Sequence, residues 1–151
     1  MYMNDIKIDT LGYFVDRTFT AMVKYLNYEL KEHSLDFQHP HFAIMMVLSR
    51  NEGINQSTLA SYVDRDKASV SRHLNYLEEK GYIDRKFDGG CKNFIFLTEK
   101  GKNLIPILNK ISELDTENTL KGFAPKKERK SIKSLLRCIL TYLQLSQKQI
   151  K

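Results

Sequence analysis

The chain has 151 residues, 42% of them hydrophobic, with a formal net charge of +6 and two cysteines. That size and apolar content can bury one sizeable core without disulfides or metals. Cys91 and Cys138 stand too far apart, with no partner pattern, for a secreted disulfide framework or a zinc site. The opening MYMNDIKIDT mixes acids and bases too early for a signal peptide, and the longest apolar run, Phe42 to Leu48, is too short to cross a bilayer. A single cytoplasmic chain without membrane attachment is expected.

The charge is unevenly placed. From Lys121 onward nine bases face Glu128 alone, which leaves the first 120 residues with 15 bases and 17 acids. Bulk charge is therefore a weak pointer to nucleic acid, whereas Arg65 to Lys102 holds a local excess of nine bases over six acids.

In chain order, the spacing of Leu11, Phe14, Val15, Phe19, Met22, Val23, Leu26 and Leu30 predicts a long amphipathic helix from about Asp5 to Glu32. Its apolar face is either core, or, in its first turns with Ile6, Ile8 and Leu11, a surface for a partner subunit. A break at Ser34 to Gln38 precedes a second helix that starts at His39-Pro40-His41, where proline is tolerated in a first turn. Its nearly all-apolar run from Phe42 to Leu48 predicts burial on most sides, with the helix ending before Gly53.

His33, His39 and His41 raise the question of a metal. His39 and His41 are two residues apart and point to different sides of a helix, whereas helical ligand pairs favour spacings of three or four, as Glu29 and His33 have. Surface and capping histidines are the plainer reading, no metal ligand set is assigned, and a metal-responsive protein remains an alternative.

Asn55 is a good N-cap for a short helix, Gln56 to Tyr62, and Asp64-Arg65-Asp66 is a turn. Asp66 then caps a helix through Lys80 in which Val70, Leu74 and Leu77, at i, i+4 and i+7, face the core. The opposite face holds Ala68, Arg72 and Asn75, flanked by Ser69 and Tyr76 on one side and Ser71 on the other. Small residues allow close approach to base edges, Arg72 suits bidentate contact to a guanine, and a helix N-terminus attracts phosphate. Two helices joined in this way make a helix-turn-helix.

Gly81 stops the second helix, and Tyr82 to Phe87 and Asn93 to Leu97 predict two strands joined by an Asp88-Gly89-Gly90 turn. A hairpin directly after a helix-turn-helix is a wing, and it carries Arg85, Lys86 and Lys92. The expected DNA-contacting set is Gln56, Ser57, Lys67, Ser69, Ser71, Arg72, Asn75, Arg85, Lys86 and Lys92. Thr98 caps a further helix to about Lys121, in which Pro106 predicts a kink or restart. Pro125 opens the last helix, with Ile132, Leu135, Leu136, Ile139, Leu140 and Leu143 as a stripe suited to a helical partner.

The run LASYVDRDKASVSRHLNYLEEKGYIDR, a short hairpin and then LTEKG resembles the signature of the MarR family of bacterial winged-helix regulators. The resemblance covers nearly the whole chain and implies a mainly α fold with a small β-hairpin wing, in which long N- and C-terminal helices serve dimerisation. Residues 39–98 then form the winged helix-turn-helix, and 1–33 with 99–151 the dimerisation region of one continuous chain. It implies a homodimer that binds double-stranded DNA at a pseudo-palindromic operator, commonly as a repressor released by a small effector, phenolic or other, in the cytoplasm at the nucleoid. By the same resemblance Ser69, Ser71 and Arg72 take the recognition role and Arg85 opens the wing.

This sequence departs from the family where Asp-Arg-Arg or Asp-Lys-Arg is usual before Leu-Thr: Asp88-Gly89-Gly90-Cys91-Lys92 stands there. It also lacks a cysteine near the start of the first helix, where oxidant-sensing members resemble one another, and Cys91 is read as an incidental wing residue. Dimer contacts fall to Ile6, Ile8, Leu11, Leu136, Ile139, Leu140 and Leu143, and an effector pocket to Tyr13, Tyr25, Phe37 and His41. No phosphate-binding glycine loop, metal-ligand helix motif or nucleophile elbow is present, so neither an enzyme nor a cofactor is expected. The competing class is a winged-helix protein-interaction module that does not read DNA.

Overall fold

The computed structural model describes the backbone of residues 10–87, 89, 93–121 and 126–149, and the side chains among them except 114–121, 126, 127, 129, 133 and 142–149. The elements run α1 (Leu11–Glu32), α2 (His39–Leu48), β1 (Ile54–Asn55), α3 (Gln56–Tyr62), α4 (Lys67–Glu79), β2 (Ile83–Phe87), β3 (Asn93–Leu97), α5 (Glu99–Lys121) and α6 (Lys126–Gln149). The chain divides into two compact units, residues 1–113 and 114–151.

In the first unit the predicted caps at Asn55 and Asp66 are present, and α1 starts at Leu11 behind an unpredicted cap at Thr10 rather than at about Asp5. The Thr10 hydroxyl accepts from the Tyr13 amide at the start of α1, the Asn55 carboxamide from Thr58, and the Asp66 carboxylate from Ser69. Each satisfies an amide that the helix itself leaves without a partner. The apolar stripes then meet. Ile44, Met45 and Leu48 of α2, Leu59 of α3, and Val70, Leu74 and Leu77 of α4 are all fully buried, together with Ile83, Ile95, Leu108 and Ile111. Each such side chain contributes roughly 1.5–3 kcal/mol on burial.

The sheet is larger than a hairpin. Its order is β1-β3-β2, with Ile54 opposite Ile95 and Ile83 opposite Leu97, both pairings antiparallel. The two-residue strand β1 carries too little pattern to be read from sequence, yet it ties the start of α3 to the wing.

The junction from α4 to the wing is tightly built. Gly81 has φ +74, a conformation that a residue with a side chain adopts at a cost. Its carbonyl accepts from the Thr98 hydroxyl at 2.7 Å, and the Tyr82 carbonyl accepts from the Thr98 amide at 3.1 Å. The same hydroxyl accepts from the Gly101 amide at 3.0 Å, so Thr98 caps α5, as its sequence predicts, and anchors it to the base of the wing. Helix α5 runs through Pro106 without a restart.

In the second unit, α6 exposes Leu135, Leu136 and Leu140, while Ile139 is half-buried. Ile6 and Ile8 lie outside the described residues, as does the side chain of Leu143. Leu11, Phe14, Val15 and Phe19 of α1 are exposed, Leu11 by 70%.

Candidate nucleic-acid interface

The outer face of α4 follows from its inner one. With Val70, Leu74 and Leu77 at zero exposure, residues about half a helical turn away must face solvent. Lys67, Ala68, Arg72 and Asn75 do so, Ser71 is half-buried, and Ser57 is exposed on α3. Arg72 presents its guanidinium outward with small neighbours beside it.

The structure differs from the sequence expectation at four positions. Ser69 is buried, with 9% of its surface exposed, so its hydroxyl is not on the outer face. Its amide is held by the Asp66 carboxylate at 2.7 Å, which draws the first turn of α4 into the turn after α3. Gln56 donates from Nε2 to the Lys67 carbonyl at 3.0 Å and so joins the starts of the two helices. Arg85 is not a free wing cation. Its Nε and Nη2 donate to Glu78 Oε2 at 3.0 and 2.6 Å, and Nη2 also donates to Asn75 Oδ1. Arg85 and Asn75 therefore engage each other, and the group braces the wing against the end of α4.

The phosphate-attracting N-terminus is likewise partly taken. The amide of Ser69 beside Asp66 holds that carboxyl below its ordinary range, so an anion already sits where a phosphate would bind. Described cations open to a nucleic acid include Arg65 in the turn before α4, Lys67 and Arg72 on α4 and Lys86 on the wing, whose ammonium also lies 5.1 Å from the Phe96 ring. Cys91 and Lys92 lie outside the described residues.

Behind α4, the pocket residues expected from sequence do not converge. A cleft of about 450 Å³ is lined by Asn27, Lys31 and the segment Ser34 to Gln38, and of the four only Phe37 lines it. Tyr13 packs edge-on against Phe14, and Tyr25 is half-buried. His41 is buried among Phe37, Tyr76 and His73. The cleft wall is joined to α4, because the Tyr76 hydroxyl donates to the Asp36 carbonyl and Lys80 lies 3.9 Å from the Asp36 carboxylate. Burial, with Asp36 beside it, pushes the Tyr76 phenol up to about 12.

Of the histidines weighed as ligands, His33 lies exposed and bonds the Glu29 carbonyl, and the His39 ring meets Phe19. Among the described residues no group of three or more His, Cys, Asp or Glu is placed to hold a metal ion. Glu78 and His73 were not singled out by the sequence, and Tyr76 was read only as a flank of the outer face, because their partners lie on other elements.

A buried-stripe helix after a tight turn, backed by a sheet that extends into a hairpin, defines a winged helix-turn-helix protein. The MarR family model matches residues 35–90. The HTH-type transcriptional regulator YybA of Bacillus subtilis is 33% identical over 112 residues, 73% of each chain. SarZ of Staphylococcus haemolyticus is 31% identical over 75% of this chain and 78% of its own. A MarR transcriptional regulator of Methanosarcina mazei Go1 superposes with a TM-score of 0.79 at 26% identity, covering 93% of this chain and 94% of its own. The chain belongs to the MarR family of transcriptional regulators, as DNA-binding proteins rather than enzymes. Among the described residues no helix is long and apolar enough to cross a membrane.

Proposed function

We propose that this regulator is a homodimer that binds a pseudo-palindromic operator in a sequence-dependent way and acts as a repressor released by a small ligand. One observation carries the reading. Arg72 stands exposed on the helix whose opposite stripe is fully buried, so the fold presents a guanidinium and holds its backbone still. Lys67 and Lys86 supply phosphate contacts around it, and Ser57 and Ser71 flank it.

The dimer reading is supported by two apolar faces without a described covering. Leu11, Phe14, Val15 and Phe19 on α1, and Leu135, Leu136 and Leu140 on α6, are large side chains left in water by a single chain. A twofold dimer would set two α4 helices on one face of a duplex about one turn apart.

Effector control is supported by the cleft at the end of α1, which offers the Lys31 ammonium and the Phe37 ring to a small ligand, phenolic or other. Its wall is hydrogen-bonded to α4 through Tyr76, so a ligand that favours one position of that wall favours one spacing of the two modules. A fold neighbour at 20% identity, the repressor CouR, was solved on a 23-mer DNA duplex, and CouR of Rhodococcus jostii RHA1 was solved with p-coumaroyl-CoA.

The test is selection of duplexes from a random pool by the purified protein, with Arg72→Ala in parallel. The expected result is an inverted repeat for the wild type and loss of enrichment for the variant, with a binding constant that falls steeply with salt. Equal, sequence-blind binding by both proteins would sink the reading and leave a protein-interaction module.

A further inference from the structure

The described residues contain a pair of titratable rings in contact, His41 buried and His73 half-buried, that the interface above does not use. His41 sits at the third position of α2 and His73 sits on α4 next to Arg72, and the His41 Nε2 and His73 Nδ1 atoms are 3.1 Å apart. The pair is the point where α2 touches the outer helix through polar atoms.

The hydrogen bonds fix where the protons are. The Gln38 amide points at His41 Nδ1 from 3.1 Å, and a backbone amide can only donate, so His41 Nδ1 accepts and carries no proton. A neutral His41 then holds its proton on Nε2 and donates it to His73 Nδ1. His73, in turn, must be neutral with its own proton on the far nitrogen, Nε2. The chain Gln38 N–H to His41 to His73 is complete with one arrangement of protons. Adding a proton to His73 sets two N–H groups against each other. Moving the His41 proton to Nδ1 would relieve that conflict, but would then set it against the Gln38 amide. Every protonated state loses one hydrogen bond of the chain.

We propose that the Gln38–His41–His73 chain is the joint that positions the recognition helix on α2, and that all of its links hold together only while both rings are neutral. The inference rests on reading α4 as the recognition helix. His41 and His73 are positioning residues, because neither points at a nucleic acid. The groups around the joint keep it neutral. From the connection before α2 comes Asp36, whose carboxylate alone favours charge on His41. From the turn before α4 comes Arg65, and from α4 come Arg72, Lys80 and the stacked phenol of Tyr76. His39 on α2 is itself held low by burial and Arg65. Burial, then His73, lowers His41 to about 4 against the opposing Asp36, and burial with Arg65 and Arg72 lowers His73.

The sign follows. A histidine whose folded pKa lies below 6.5 is stabilising above that value, and the stabilisation is lost as pH falls from 6.5 through the folded pKa, which for His41 is about 4. The chain is complete at neutral pH, loses one of its two links when one ring is protonated, and parts between the rings when both are. Protonation also places positive charge beside Arg72, which strengthens sequence-blind attraction to DNA. The quantity that falls is therefore the ratio of specific to nonspecific binding.

The test uses the full chain labelled with nitrogen-15, with histidine side-chain correlations followed from about pH 7.5 down to about pH 3.5, below the lowered His41 value. At the upper pH both Nδ1 atoms are expected unprotonated and both Nε2 atoms protonated. On acidification the amides of Lys67 to Glu79 should shift together with the ring signals. His73→Gln, whose carboxamide oxygen still accepts from His41, should stay folded and lose that shared step. A protonated Nδ1 on either ring at the upper pH would overturn the proposal, as would α4 amides that titrate alike in wild type and variant. With a duplex enriched from a random pool and an unselected one of equal length, the wild-type affinity ratio should fall roughly fivefold over that range, the scale of one hydrogen bond, and His73→Gln should flatten the fall. A ratio that is constant in the wild type also overturns it. If no duplex is enriched, the functional reading fails, and the ring and amide signals still decide the joint.

Discussion

Replacing Gly101 by alanine tests how closely α5 is seated on the base of the wing. A Cβ at this position would lie 2.1 Å from the Tyr82 carbonyl oxygen, 3.1 Å from its carbon and 3.4 Å from Leu97 Cδ2. An unstrained carbon-to-oxygen contact is about 3.3 Å, so the methyl intrudes by roughly 1.2 Å into backbone that cannot swing aside. That carbonyl already accepts from the Thr98 amide at 3.1 Å, and moving it breaks the contact that anchors α5. Overpacking of this kind costs about 1–3 kcal/mol and the lost hydrogen bond about 1, against about 1 gained from alanine's helix propensity. The net effect is destabilisation by about 1–3 kcal/mol, read as a lower urea midpoint at fixed protein concentration and a melting temperature lower by roughly 5 °C. Gly12→Ala is the control of opposite sign, because nothing lies within 4 Å of its Cβ and it is exposed in the first turn of α1. It should stabilise by up to about 0.5 kcal/mol through propensity and reduced unfolded-state freedom. A Gly101→Ala midpoint equal to or above that of the wild type would refute the close seating of α5 and the reasoning built on it.

Other consequences separate bracing from binding. Arg85→Ala should lower stability by about 0.5–1 kcal/mol, a value reduced because Glu78 is 41% exposed, and weaken DNA binding without changing its salt slope. Lys86→Ala should leave the melt unchanged and reduce that slope by about one contact. Leu136→Glu with Leu140→Glu should shift the chain toward monomer in sedimentation, and an unchanged sedimentation coefficient would exclude this stripe from the dimer contact. Asp66 contributes stability above the unfolded carboxyl value that is lost as pH falls through its lower folded one. Asp66→Asn, which keeps a capping oxygen, should show a melting temperature less sensitive to acid than the wild type.

The helix at the centre of the site was legible because its signals are local. Asp66 caps it, Gly81 stops it, and the spacing of Val70, Leu74 and Leu77 fixes which side is buried, all within sixteen residues of sequence. The hairpin was legible for the same reason. Ser69 was not, because a residue on the flank of the stripe is buried or exposed according to where the neighbouring helix packs. Arg85 lies seven and ten residues from its partners Glu78 and Asn75, and those separations span a helix end and a strand start. His41 and His73 are 32 residues apart, and their meeting depends on the whole packing of α2 against α4. Tyr13, Tyr25 and His41 do not line the described cleft, and aromatic composition alone does not distinguish a lining residue from a packed one. Family resemblance supplied the operator, which no local pattern in this chain contains, whereas the dimer reading rested also on the surplus apolar faces of the long first and last helices.

The pairing of Arg85 changes what the module can achieve alone. With that guanidinium committed to Glu78 and Asn75, the described cations facing outward from α4 and the wing are Lys67, Arg72 and Lys86. If Arg72 reads a base, about two described phosphate contacts from these elements remain per module, and each lowers the logarithmic salt slope by only about 0.9. Two modules on one duplex double the slope and add the second binding event at high effective concentration. The apolar faces of α1 and α6 thus bear on the proposed DNA binding, because a dimer would double the charge that the described residues of one module supply. Joining both sides is the Arg85 brace, which gives up one phosphate contact and in return fixes the angle between the wing and the recognition helix.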